Sequence, residues 1–295
     1  MADAATLDGP LVGQVRTALN QSDSSIHDPE EAKKLGFRGA AVGGNNHLDL
    51  FAPLLVEAYG QQWFERGAVS LYFLNVAVSG ETVQAVVERP SPAGAQTRIH
   101  ARRADEPSVI VCQGTGSLGD YSRSELRTRD LKTCDDGALR LLKGVKPGQS
   151  LGKVELTAQS AFQDQLLKTG ALNEVMDWYV GPSPWGAPIA SLNATSAMMF
   201  RLLVGDGEGH HHDRISPHIG DTLSMFGAFE IAFEGGPVFL DRPYEVEGRV
   251  VGVGDSPKTE LLWWDATARN ERGETVVTMR HLLRFLKATS PLYAA

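Results

Sequence analysis

The chain has 295 residues, with 28 Lys and Arg against 36 Asp and Glu and a formal net charge of −8. Hydrophobic residues at 42% and charged residues at 22% fit one or two globular domains and exclude a disordered or fibrous chain. The acidic balance argues against nucleic acid or an anionic membrane surface as the partner, and no apolar run of about 20 residues is present to span a bilayer.

In chain order, the first helix signal is Asp28-Pro29-Glu30-Glu31-Ala32. Asp28 can cap, Pro29 suits the first helical position, and the glutamates sit at the positive end of the dipole. Gly36 ends that short helix. The Gly-rich link Gly39 to Gly44 leads into a longer helix expected from about Asn45 to Gln62, whose Leu48, Phe51, Leu55 and Ala58 repeat at helical spacing. Four strand-like runs follow, Ala68 to Val76, Glu81 to Glu88, Gln96 to Arg103 and Ser108 to Ser117, separated by turn chemistry such as Ser79-Gly80. Asp120 to Gln149 is charged, aperiodic and reads as a linker. The same order then recurs, with a helical stretch from Ala187 to Val204 and strand-like runs Met225 to Glu234, Tyr244 to Gly252, Lys258 to Ala268 and Glu274 to Leu286. Gly227-Ala-Phe-Glu-Ile-Ala-Phe echoes Gly67-Ala-Val-Ser-Leu-Tyr-Phe.

Two copies of one α+β unit is the economical reading. A helix wrapped by antiparallel sheet is the hotdog arrangement, so the expected fold is a double hotdog, a pseudo-dimer within one chain. Its divisions are residues 1–120, a linker at 121–149, and residues 150–295.

Residues from about Leu11 to Val87 resemble the MaoC-like (R)-specific enoyl-thioester hydratase/dehydratase family. The segments that carry the resemblance are Ser22 to His27, Asp28 to Phe37, the Gly43-Gly44 link, and Gly67 to Val87 with Ser79-Gly80-Glu81-Thr82. The second half resembles the family only in its order of elements. In that family an Asp and a His five positions apart act as acid and base beside a thioester. His27 stands at the His position, but the residue five before it is Ser22, and Asp23 stands four before. The loop is one residue shorter than the family form, and Ser24-Ser25 replaces its Asn-Pro. Either Asp23 and His27 still face one pocket, or the dyad is lost and Asp23 is a turn or cap residue.

Gly43-Gly44 at a helix start offers amides to a developing oxyanion, with Gly44 the expected donor, or it only permits a tight turn. Asn45, Asn46 and His47 depart from the family's usual His-Gly-Met. Asn45 suits a cap and Asn46 the substrate pocket. His47, on one face with Phe51 and Leu54, is a candidate replacement acid/base. Trp185, in the run Trp178 to Gly186, is either a wall of the substrate channel or core. Of the adjacent Trp263 and Trp264, one is expected buried and the other at an interface. The His210-His211-His212-Asp213 cluster with His218 reads as a solvated loop and not a metal site, and Cys112 and Cys134 match no metal or disulfide pattern.

The resemblance implies a lyase hydrating a 2-enoyl thioester, or running the reverse dehydration. The partner is an acyl thioester on coenzyme A or a carrier protein. No P-loop and no Gly-x-Gly-x-x-Gly after a strand occur, and no cofactor is expected. The alternatives are an altered reaction in the same pocket (another elimination, a cyclisation or thioester hydrolysis on a natural-product intermediate) or a non-catalytic hotdog subunit. Sheet edges invite pairing, so a homodimer is expected. The N-terminus shows no secretory pattern and a cytoplasmic location is expected.

Overall fold

The eight strand-like runs all form strands, and they join one antiparallel sheet. The computed structural model describes residues 9–20, 25–91, 95–205, 215–220 and 222–293. The first half contains β1 (Leu11–Val12), β2 (Arg16–Thr17), α1 (Pro29–Lys34), α2 (Ala52–Tyr59), α3 (Trp63–Arg66), β3 (Gly67–Phe73), β4 (Thr82–Val87), β5 (Gln96–Arg103) and β6 (Ile110–Leu118). After α4 (Glu125–Thr128) come β7 (Ser150–Thr157), α5 (Ser160–Thr169), α6 (Asp177–Val180), α7 (Leu192–Val204), β8 (Ser224–Phe233), β9 (Pro243–Asp255), β10 (Thr259–Arg269) and β11 (Thr275–Leu286).

The strand order is β1-β4-β5-β6-β3-β8-β11-β10-β9-β7, with β2 on β4. The run β4-β5-β6-β3 is mirrored by β8-β11-β10-β9, so the order reads alike from either end. The two runs meet where β3 pairs with β8, from Ala68 opposite Ala232 to Tyr72 opposite Ala228, with Ser70 opposite Glu230 at the middle. The helices other than α4 pack on one face of this sheet over a core that includes Phe51, Leu55, Trp63, Leu202 and Trp264.

The long helix expected from Asn45 to Gln62 is broken. Gly44–His47 is a single 3-10 turn, residues 48 to 51 are further turns, and α2 starts only at Ala52. Pro53 stands in the first turn of α2. It has no N–H to continue a helix from the preceding turn and it restricts the residue before it. Gly60, at φ +76°, ends α2. By contrast α7 is continuous over 13 residues, and Pro188 lies outside it.

The 121–149 stretch is not bare linker. It carries α4 and a 3-10 turn at Asp136–Ala138 and crosses the sheet face opposite the helices. There Leu126 packs with Ala228, Leu261, Trp263 and Leu282 in a cluster separate from the main core. Glu230 is fully buried and accepts from the Ser124 hydroxyl and from Arg127 Nε, the latter at 2.6 Å. The Glu260 carboxylate accepts the backbone N–H groups of Arg140, Leu141 and Leu142 at 2.8, 3.0 and 2.8 Å. This cover corrects the expectation for the tryptophan pair: both Trp263 and Trp264 are buried, on opposite faces. Trp263 Nε1 donates to the Leu131 carbonyl at 2.9 Å.

Several elements were not foreseen: the short strands β1 and β2, the short helices α3, α4 and α6, and two longer elements of the second half. β7 is an edge strand on β9, and α5 ends at Gly170 with φ +73°. Among the described residues, no helix is long and apolar enough to cross a membrane.

Candidate active site

Local sequence places His27 with little freedom. The Asp28 carboxylate accepts from the amides of Glu30 and Glu31, both at 2.9 Å, which fixes the start of α1. His27 ends the 3-10 turn Ser25–His27 immediately before that cap. The loop at Ala40–Val42 lies against it: Ala41 N–H donates to the Ile26 carbonyl at 2.9 Å. The Ala41 carbonyl in turn lies 2.5 Å from His27 Nδ1. A carbonyl only accepts, so Nδ1 carries the proton, and in the neutral ring Nε2 holds the basic lone pair.

His27 stands where two cavities meet. The larger, about 1360 Å³, is lined by His27, Gly43, Gly44, His47 and Phe73 from the first half. The smaller, about 340 Å³, is floored by α7 through Ala194, Ser196, Ala197 and Arg201. His27, Gly43, Phe200, Val204 and Phe226 line both. Lys258 and Arg284 bring positive charge to the larger cavity, as does Lys287, whose Nζ is paired with Asp255 at 2.5 Å.

Gly44 is boxed in by this cavity wall. A Cβ on it would lie 2.6 Å from Cε2 of Phe73, so a larger residue here would have to displace that ring. The amides of Gly43, Gly44 and Asn45 have no partner among the described residues. His47 also lines the larger cavity, yet it is only 2% exposed, and its Nδ1 has no partner among the described residues. Burial pushes its pKa down to about 4. The ring is therefore neutral at neutral pH, which suits a hydrogen-bonding group better than an acid.

The other expected site residues are placed differently. Asn46 borders the smaller cavity, but its side-chain amide is engaged: Oδ1 accepts from Asn193 Nδ2 at 3.0 Å and Nδ2 donates to the Leu19 carbonyl at 2.8 Å. Asn45 reaches the same residue, donating to Asn193 Oδ1 at 2.7 Å. Trp185 is not brought to either cavity. It packs edge-on against Trp178 and Phe64, with centroids 5.5 and 6.2 Å away, and its Nε1 donates to Glu65 at 2.9 Å. Asp23 and the His210–Asp213 cluster lie outside the described residues. Among those that are described, no group of three His, Cys, Asp or Glu side chains is arranged to hold a metal ion.

Sequence reading missed Asp49. This fully buried carboxylate accepts the amides of Leu192 and Asn193 at 2.8 and 3.1 Å, capping α7 from the other half of the chain. The Tyr179 hydroxyl approaches it at 3.4 Å. Burial raises the Asp49 pKa to about 7, while these donors pull it the other way. The available signal was a carboxylate set among the apolar Leu48, Leu50 and Phe51.

No family model and no curated protein matches the sequence. Solved structures do. A protein from Chloroflexus aurantiacus assigned to the MaoC-domain dehydratases superimposes with a TM-score of 0.60 at 11% identity, over 94% of this chain and 95% of its own. A MaoC-like dehydratase gives 0.51 at 11% identity, over 95% and 99%. Rv0216 of Mycobacterium tuberculosis, described as a double hotdog fold, gives 0.53 at 12% identity, over 93% and 96%. At such identity the likeness is one of fold. The chain thus has the hotdog fold, and its structural neighbours are MaoC-like dehydratases and double hotdog proteins matched along nearly their whole length.

Proposed function

We propose that the chain is a hydro-lyase acting on an acyl thioester, adding water to a 2-enoyl group or removing it from a 3-hydroxyacyl group. The observation that carries this reading is His27 at the junction of the two cavities, its Nδ1 tied to the Ala41 carbonyl and its basic nitrogen left for chemistry. In the hydration direction His27 Nε2 takes a proton from water as the oxygen bonds to C3. The electron pair of the double bond moves toward the thioester oxygen, where the Gly44 amide receives the charge. The proton is then delivered to C2, with Asp23 as the partner of His27. The acyl group extends into the chamber on α7, and the carrier lies toward the lysines and arginine of the larger cavity.

The palindromic strand order supports two hotdog units, 1–120 and 150–295, forming a pseudo-dimer joined by 121–149. The whole chain is further proposed to form a homodimer; light scattering that finds only the 31.9 kDa monomer would remove that part.

The test is turnover of a panel of 2-enoyl coenzyme A thioesters, followed by loss of conjugated absorbance. His27→Ala should lower kcat by about 10²–10⁴-fold with melting temperature nearly unchanged. Asp23→Asn should do likewise if it completes the pair. Full turnover by His27→Ala would overturn the assignment.

A further inference from the structure

His47 presents an unexplained valence. The ring belongs to the wall of the larger cavity, one turn along from Gly44, and faces Phe73 with centroids 6.4 Å apart. Its Nδ1 is buried with no hydrogen-bond partner among the described residues. A buried N–H left unpaired is rarer and costlier than a buried acceptor left unpaired. Nδ1 is therefore the bare nitrogen of the neutral ring, and the N–H is on Nε2. No positive charge lies on the ring, because desolvation disfavours it.

We infer that His47 donates its Nε2 hydrogen to the carbonyl oxygen of the bound thioester, opposite or beside the Gly44 amide, and so polarises the carbonyl as a neutral electrophile. The inference rests on the thioester reading above. It assigns His47 a contact with substrate, in place of an acid/base exchange. As hydroxyl adds to C3, negative charge gathers on the thioester oxygen. Two donors fixed in a dry wall hold that charge without having to reorient. When the proton arrives at C2, the carbonyl re-forms and the hydrogen bonds weaken. No proton leaves His47 at any point. A neutral imidazole suits this role because it gives a strong donor without placing a costly cation in an apolar pocket.

The experiment compares the wild-type chain with His47→Leu and His47→Gln. The Gln amide retains an N–H at nearly the place of Nε2; Leu retains only the bulk. The probe is hexadienoyl-coenzyme A labelled with carbon-13 at its carbonyl, read by infrared difference spectroscopy. The wild-type complex should show the carbonyl band at lower frequency than free ligand. His47→Leu should move it back toward the free value, and His47→Gln should hold most of the shift. With a hydrated enoyl thioester, His47→Leu should lower kcat about 10²-fold and leave KM within about threefold. The ratio of wild-type to mutant kcat/KM should stay flat from about pH 5 to 9, since the ring titrates below that window. Identical bands in wild type and His47→Leu, or no thioester bound by the wild type, would overturn the inference. A shifted band without hydration of any enoyl thioester would leave the role of His47 standing and sink the lyase reading.

Discussion

The two helix entries of this chain are built in opposite ways. At the second-half entry every early donor is consumed: Ser191 N–H goes to Gln163 at 2.7 Å, Leu192 and Asn193 to Asp49, and Ala194 to the Ser191 hydroxyl at 3.1 Å. At the first-half entry the helix is broken, no side chain caps it, and the amides of Gly43, Gly44 and Asn45 find no partner among the described residues. The sealed entry is the better helix, and the open one leaves its amides available to a ligand. A helix start can satisfy its donors internally or offer them to a ligand, but not both. That contrast supports placing the chemistry in the first half.

The comparison can be broken in several places. The largest effect should come from unsealing α7. Asp49→Ala leaves two buried amides and a tyrosine hydroxyl unpaired and should cost about 3 kcal/mol in a denaturant titration. A loss under about 0.5 kcal/mol would show that the seal is idle.

The same carboxylate gives a pH signature. Its folded pKa of about 7 lies above the ordinary 3.8, so between those values the native state holds a proton that the unfolded chain has released. Its contribution is fully present below about pH 4 and fades as pH rises toward 7, by up to about 1.4 kcal/mol per unit. Asp49→Asn should therefore gain stability relative to wild type across that interval. A constant difference would place the Asp49 pKa near its unfolded value.

At the open entry the signature should be catalytic. Gly44→Ala sets a methyl against Phe73, whose ring can swing into the cavity. We expect kcat/KM to fall about 10²-fold with a smaller loss of stability, measured by steady-state kinetics and thermal melting. The reverse pattern would make Gly44 a packing residue alone. Ser191→Ala, at the sealed entry, should cost about 1 kcal/mol and leave kinetics untouched. The smallest change should follow Trp185→Phe, which loses one hydrogen bond to Glu65, about 1 kcal/mol, without altering KM.

Much of the fold was legible because antiparallel strands announce themselves locally. Gln96–Arg103 was read to the residue, and Asp28 caps α1 as its position before Pro29 implied. The helix from Asn45 was overextended because its apolar spacing continues through a break that only Pro53 and the polar contacts of Asn45 and Asn46 explain. α5 was overlooked because Gln159 gives it no side-chain cap, and only Gly170 marked its end. Asp49 could be seen as odd but not understood, since its partners lie 143 and 144 positions away. The burial of Trp263 depended on a stretch that looked structureless until Leu126 was seen against it. The position of His27 directly before the Asp28 cap was legible from capping chemistry; the fate of Trp185 depended on an aromatic cluster gathered from three distant segments.

The join between β3 and β8 has a mechanical consequence. Load passing from one half to the other runs through a ladder of backbone hydrogen bonds between Ala68–Tyr72 and Ala228–Ala232, while the crossing segment near Arg127 clamps the back of that ladder through Glu230. The sheet therefore behaves as one beam and not as two plates on a hinge. A single nick in the exposed stretch around Lys132 and Thr133 would leave two pieces still laced edge to edge.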